Sequence, residues 1–407
     1  MKLKNKIALI AGTGLLTIAG AVMAQKETKM PAITVPTFGK GLTFAAADST
    51  FKITMHGRFQ TLLTLDKTLD DGATYADAKI FTRRARLKFN GFAFNPNVTY
   101  KMELGLTNRD WGSAKPETNN APNMILDAVL KWKFAPGFQV WIGQTKLPSN
   151  RERVISSQQL QFVDRSMVNS KFNLDRDRGI QLRHTFKLGK AVIREIASIS
   201  SGEGRNVTIA NTGGFAYTGR VEVLPMGKFT SKGDYFGSDL ARESSPKLSV
   251  GINYDYNDDT NRERGQLGSF TTSKTDLESW MLDIMYKYNG FSLMSEMVHK
   301  TSPQSEFANG DSFYTGRGLS LQAGYLLKSN WELAGRYTVV SPFSINVDAV
   351  TGATSTTFGN QVEQYTLGLS RYVVGHSLKV QTDITLQVTE NNPTEELVYR
   401  FQVEMAF

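Results

Sequence analysis

From Phe51 onward the sequence alternates apolar and polar residues with a period of two, in one run after another. A period of two puts successive side chains on opposite faces of an extended strand. In FKITMHGRFQTLLTL (51–65), Phe51, Ile53, Met55, Phe59 and Leu63 stand against Lys52, Thr54, His56, Arg58 and Gln60. VTYKMELGL (98–106) and HSLKVQTDITLQV (376–388) repeat the pattern. Sixteen such runs occur, at about 51–65, 79–94, 98–108, 123–135, 137–147, 179–188, 191–200, 213–225, 247–257, 275–288, 290–300, 317–327, 330–340, 361–373, 376–389 and 396–407. The links between them alternate in length. Tight turns are expected at 95–97, 136–137, 189–190, 289–290, 328–330 and 374–376, and longer loops lie between them. One link, 226–246, is long where a short one is expected.

Strands that run up and down between unequal ends, with one apolar and one polar face, describe a membrane barrel. In hydrocarbon every backbone group must be paired within the protein, so the sheet has to close. The expected fold is all-β: a 16-stranded antiparallel transmembrane β-barrel with apolar residues outward and polar residues inward. Tyr286, Tyr288, Phe291, Trp331, Tyr337 and Tyr399 suit the aromatic girdles at the two interfaces. A secreted two-sheet sandwich is the alternative, but its strands usually run only about 5–6 residues. The last run, EELVYRFQVEMAF, carries Leu397, Tyr399, Phe401, Val403, Met405 and Phe407 on one parity. An aromatic at that position resembles the signal read by the bacterial outer-membrane barrel assembly machinery.

Residues 1–24 read as a signal peptide, with Lys2, Lys4 and Lys6 ahead of an uncharged, mostly apolar run and Val22-Met23-Ala24 at the cleavage site. The expected destination is the outer membrane. Residues 25–50 read as a periplasmic segment and 51–407 as the barrel. The chain has no Cys, which excludes disulfides, zinc-thiolate sites and cysteine nucleophiles. Four scattered His argue against a metal site and against a rim enzyme built on Ser/His or Asp/His. No catalytic residue, metal or cofactor is expected, and export argues against a nucleic-acid partner.

A sixteen-strand barrel is too wide for side chains to plug. The longest loop, 148–178, is expected to fold inward as a constriction, with a short helix around Ser156–Phe162. Charge is uneven: residues 51–186 hold 21 Lys and Arg against 12 Asp and Glu. Parity turns Arg58, Arg84, Arg86, Lys88, Lys101, Lys131, Lys133 and Arg183 inward, with fewer acids beside them, Glu103 and Asp127. A lumen lined by one sign of charge concentrates ions of the other, and Arg can grip an oxyanion with two hydrogen bonds.

The blocks FTRRARLKFNGFAFNPNVTYKMELGL (81–106), LDAVLKWKFAPGFQVWIGQTKLPSNRER (126–153), FVDRSMVN (162–169), DRDRGIQL (175–182) and TSKGDYFGSDLARESSPKLSVGINYDYN (230–257) resemble the phosphate-selective porin O and P family. The resemblance implies a sixteen-stranded outer-membrane channel, usually a homotrimer, that passes small anions such as phosphate. Arg83 and Arg84 resemble the family's arginine pair at the anion-binding constriction. Parity turns Arg84 inward and leaves Arg83 outward, unless a bulge brings both to the pore. The expected basic constriction comprises Arg83, Arg84, Arg86, Lys131 and Lys133, with Lys146, Arg151 and Arg153 from the loop edge. The eighth run departs from the family's arginine ladder, offering only Arg220 with Glu222 on its parity. A general, non-selective pore and a non-conducting docking barrel stand as alternatives.

Overall fold

The computed structural model describes residues 32–33, 37–69, 77–112, 115–209 and 214–407. The segment read as a signal peptide lies outside them. Sixteen strands form the barrel wall: β1 (Phe51–Thr68), β2 (Asp77–Ala93), β3 (Asn95–Gly105), β4 (Ile125–Ala135), β5 (Phe138–Lys146), β6 (Arg176–Leu188), β7 (Ala191–Ser200), β8 (Ala216–Leu224), β9 (Lys247–Arg262), β10 (Phe270–Tyr288), β11 (Phe291–Thr301), β12 (Thr315–Leu326), β13 (Trp331–Val347), β14 (Val362–Val374), β15 (Leu378–Thr389) and β16 (Glu396–Ala406). Each pairs antiparallel with its chain neighbour, and β16 pairs with β1 from Glu396↔Thr68 to Ala406↔Arg58. Gly57 and Phe407 then exchange backbone hydrogen bonds of 3.0 and 2.9 Å across that seam. The sheet is closed, and among the described residues its wall has no free edge.

All sixteen expected strands are present. Three short strands add to them: Ala32–Ile33, Leu42–Ala45 on the start of β1, and Thr354–Phe358 folded back on the end of β13. The outward row is apolar. Leu130, Ile142, Leu182, Ile252, Leu333, Leu367 and Ile384 are all exposed on it, where a bilayer would cover them. The turns at one end are short. Asn289 and Gly290 both take positive φ, 48° and 88°, the geometry of a two-residue hairpin turn. The turn expected at 95–97 instead falls on Phe94, with φ 70°, and 95–97 already belong to β3.

Two segments fold into the barrel. The first is the β5–β6 loop. It carries α1 (Arg151–Val154) and α2 (Met167–Phe172), while residues 156–162 form turns rather than the expected helix. Ser166 caps α2 by accepting the Asn169 amide at 3.1 Å. Leu147, Met167, Val168, Phe172 and Leu174 pack on Met281, Val298 and Val340 of the wall. Gly318 leaves the space that Val168 and Phe172 occupy, since a Cβ there would sit 2.8 and 3.0 Å from them. The second is the irregular β8–β9 link, which turns into the short-turn end. Lys287 holds it by donating to the Gly233, Phe236 and Ser238 carbonyls at 2.9, 2.8 and 2.7 Å. The two insertions meet where the Gly237 amide donates to the Gln159 carbonyl at 2.8 Å.

Deleting Phe407 removes the two seam hydrogen bonds, each worth about 0.5–1.5 kcal/mol net. The expected outcome is a several-fold smaller heat-modifiable folded fraction on cold gel electrophoresis; an unchanged fraction would remove Phe407 from closure.

Candidate functional site: a basic passage beside the inward loop

The wall is chemically two-sided. From β8 round to β16 the inward row carries buried carboxylates, including Glu222, Asp283, Glu296, Glu332, Asp383 and Glu404. A buried charge needs a partner, and the inward loop supplies one or more to five of these six, Glu404 being held by Arg58 and Lys379 of the wall. Arg151 is fully buried, with Nε 3.2 Å from Asp283 and Nη2 3.0 Å from Glu222 and 2.8 Å from Ser249 Oγ. Asn150 Nδ2 and the Glu152 amide donate to the two Glu296 oxygens at 2.7 and 2.5 Å. The Val163 amide donates to Asp383 at 3.0 Å, and Gln161 Nε2 to Glu332 at 2.9 Å. The loop therefore lies against the acidic wall and spends its polar groups there.

The open lumen is left between the loop and the basic wall from β2 to β7. It is a cavity of about 1450 Å³. Among the described residues its lining holds twenty Lys and Arg against six Asp and Glu. The docking contributes to this asymmetry: the loop covers most of the inward acids of β8 to β16, and the bases of β2 to β7 are left lining the cavity.

Seven of the eight expected constriction residues line this cavity: Arg83, Arg84, Arg86, Lys131, Lys133, Lys146 and Arg153. Arg151 does not. It does not face the pore as expected: α1 points it at Glu222 and Asp283 of the wall and Asp234 of the β8–β9 link, all within 4 Å. Arg83 reaches the lumen because β2 is bulged. Gln60 pairs with Arg84 but Thr61 pairs with Thr82, so Arg83 is skipped and the two arginines turn to the same side. Asp164 of the loop joins them, at 2.9 Å from Arg83 and 3.1 Å from Arg84. Arg86 is paired with Glu103 at 3.2 Å and Asp110 at 2.9 Å. Lys146 is a staple as much as a lining group, donating to the Arg153, Val154 and Ile155 carbonyls at 2.7, 3.2 and 3.0 Å. Arg153 is paired with Asp175. Nearer the short turns, Lys131 Nζ and Arg183 Cζ both lie 3.7 Å from the Trp141 ring centre.

Arg165 was not among the expected residues. Its Nε and Nη2 donate to the Glu152 and Ile155 carbonyls at 2.9 and 2.8 Å, and it has no carboxylate within 4.0 Å among the described residues. Burial, with Arg176 and Arg86 acting against the pull of Glu152, brings its guanidinium down to about 10. A cation in that setting gains from an arriving anion. Nothing in the loop's spacing marks Arg165 over Arg151, because the loop has no period. One signal was available: Met281, Met285, Met294, Val298 and Val340 are apolar on the inward row, which marks the wall where a loop must dock.

Burial pushes the Asp164 carboxyl up, but Arg83 and Arg84 outweigh it and hold it below the ordinary carboxylate range. A carboxyl held down on folding stabilises above its unfolded value, about 3.9, and that contribution is lost as pH falls below it. Asp164→Asn is therefore expected to melt lower than wild type at pH 7, with the gap closing towards pH 2; a constant gap would refute the clamp. Arg151→Ala leaves three acids around an empty site and is expected to cost about 3–5 kcal/mol. It should also raise open-channel current noise, and quiet channels of wild-type stability would contradict the anchor.

The model of the family described as phosphate-selective porin O and P matches residues 53–372. A protein of Aquifex aeolicus is 22% identical over 386 residues, covering 86% of this chain and 88% of the relative. The fold is similar to the anion-selective porin from Comamonas acidovorans, with a TM-score of 0.53, 12% identity, and 87% of this chain and 99% of that one covered. It is also similar to Salmonella typhi OmpF, with a TM-score of 0.54, 13% identity, and 88% and 98% covered. A closed sixteen-stranded wall, a loop folded into it and a family match over most of the barrel make this an outer-membrane porin, and the chain belongs to the phosphate-selective porin O and P family.

Proposed function

We propose that this porin is a passive channel that favours small anions, phosphate and polyphosphate among them. The observation that carries this reading is the excess of twenty bases over six acids around the open lumen. In a narrow passage with low-dielectric walls, such an excess raises the local concentration of anions. Arg83 and Arg84 share one carboxylate between two guanidinium groups, and Arg165, Lys131 and Arg183 add cations with no acid within 4.0 Å among the described residues. An anion moving through meets one cation after another, each able to bind it and hand it on. No covalent step is needed and no cofactor takes part. The homotrimer implied by the family is part of the proposal. So is delivery by the barrel assembly machinery through β16 and Phe407.

One observation favours a general anion pore over strict phosphate selectivity. Arg220, the eighth strand's only base, is spent on Glu222 at 2.9 Å and Asp283 at 2.6 Å. Glu103 and Asp127 likewise offset part of the basic wall. Continuous stacking of free arginines down the pore is absent among the described residues.

Planar bilayers in a KCl gradient test the reading. The expected reversal potential has the anion sign, and it shrinks as ionic strength rises and screens the lining. Cation selectivity would overturn it. Phosphate added to chloride is expected to block current in wild type, with the block several-fold weaker in Arg84→Glu. Equal block in both would clear Arg84 of anion binding.

A further inference from the structure

The outer surface of the barrel has one acidic break in the half nearer the short turns, the inner-leaflet side of such barrels. On the rung His184–Glu195–Val221–Ile252, counted across β6 to β9, Glu195 faces outward and is half exposed. Its carboxylate lies 3.1 Å from His184 Nδ1, itself stacked between Phe138 and Phe186 with ring centres at 4.0 and 5.0 Å. Among the described outward residues of the strand halves near the short turns, Glu195 is the one carboxylate. A carboxylate facing lipid is costly and asks for a cation. His184 supplies a partner on one side only.

The next rung towards the long-loop end is Leu182–Ala197–Gly219–Tyr254. Two small residues side by side leave a depression between two large ones. A Cβ added at Gly219 would meet nothing within 4 Å. The depression extends to Trp280 and encloses about 490 Å³, almost wholly apolar. The surface thus has an order along the membrane normal: a carboxylate nearer the short-turn end, then an apolar trough running towards the bilayer centre.

We propose that this surface holds one inner-leaflet phospholipid whose headgroup carries a primary ammonium, as phosphatidylethanolamine does. The ammonium sits on Glu195, and an acyl chain lies in the trough over Gly219. Charge complementarity selects the headgroup, and the order of acid and trough matches the way an inner-leaflet lipid points. A second copy of the chain fits less well. The outward base available at this depth is Arg371 on β14, stacked at 5.6 Å on Trp331. It stands seven strands away round a wall of sixteen, close to the far side. Bringing it to Glu195 of a neighbour would build an open row rather than a closed ring. The inference stands apart from ion selectivity, because Glu195 is outside the lumen.

The test is native mass spectrometry of the purified full-length porin after exchange into mixed micelles holding phosphatidylethanolamine or phosphatidylglycerol. Wild type is expected to retain the ethanolamine lipid about five-fold over the glycerol lipid, a modest difference in binding free energy. Glu195→Gln should abolish that preference. Gly219→Leu, which fills the trough, should lower retention of both lipids. Conductance in both variants is expected to match wild type, so a change in selectivity would concern the channel reading alone. Equal retention of the two lipids by wild type, an unchanged preference in Glu195→Gln, or full retention by Gly219→Leu would each overturn the proposal. So would intersubunit cross-linking through Glu195→Cys, which would put a protein neighbour on this surface.

Discussion

A strand that enters hydrocarbon must find a partner for every backbone amide and carbonyl, and the last strand can find its own only by returning to the first. The pairing of β16 with β1 meets that demand here. Everything else follows from closure. Once the sheet is a cylinder, the two side-chain rows of each strand become a lipid row and a lumen row. The period-two alternation then acquires a direction, with Leu130, Leu182 and Leu367 outside and Lys101, Arg183 and Asp383 within.

Closure creates a lumen too wide to fill and lined by charges that attract or repel one another. The β5–β6 loop resolves this by choosing a side. Its arginine, amides and apolar face are matched to the acids and methionines of β8 to β16. The electrostatic character of the pore is thus set indirectly. The chain carries acids enough to offset many of its bases, but the loop covers most of the acids of β8 to β16 and leaves the bases of β2 to β7 bordering the cavity. Selectivity on this view is a by-product of packing: the same contacts that hold the loop decide which charges an ion meets.

Much of this was legible in the sequence, and the limits have physical causes. Sixteen strands could be counted because alternation persists for ten residues or more and the links punctuate it. Inward placement of Arg84, Arg86, Lys131 and Lys133 follows from parity alone. Arg83 does not, because a bulge shifts the count by one and leaves no mark in composition. Inside the loop there is no period to follow, so Arg151 and Arg165 read alike although one is sealed against the wall and the other borders the passage. The helix expected at Ser156–Phe162 was misplaced for the same reason. The methionines on the inward row were the overlooked clue to where the loop rests.

The meeting of the two insertions has a mechanical consequence. Phe229 of the β8–β9 link shares one apolar cluster with Ile155 and Leu160 of the loop, and the Gly237–Gln159 hydrogen bond ties their backbones. Each insertion buttresses the other, as the two halves of an arch do. Neither can swing aside without breaking the other's seat. A bore framed in this way is set by the packing of two insertions on each other as much as by the wall around them.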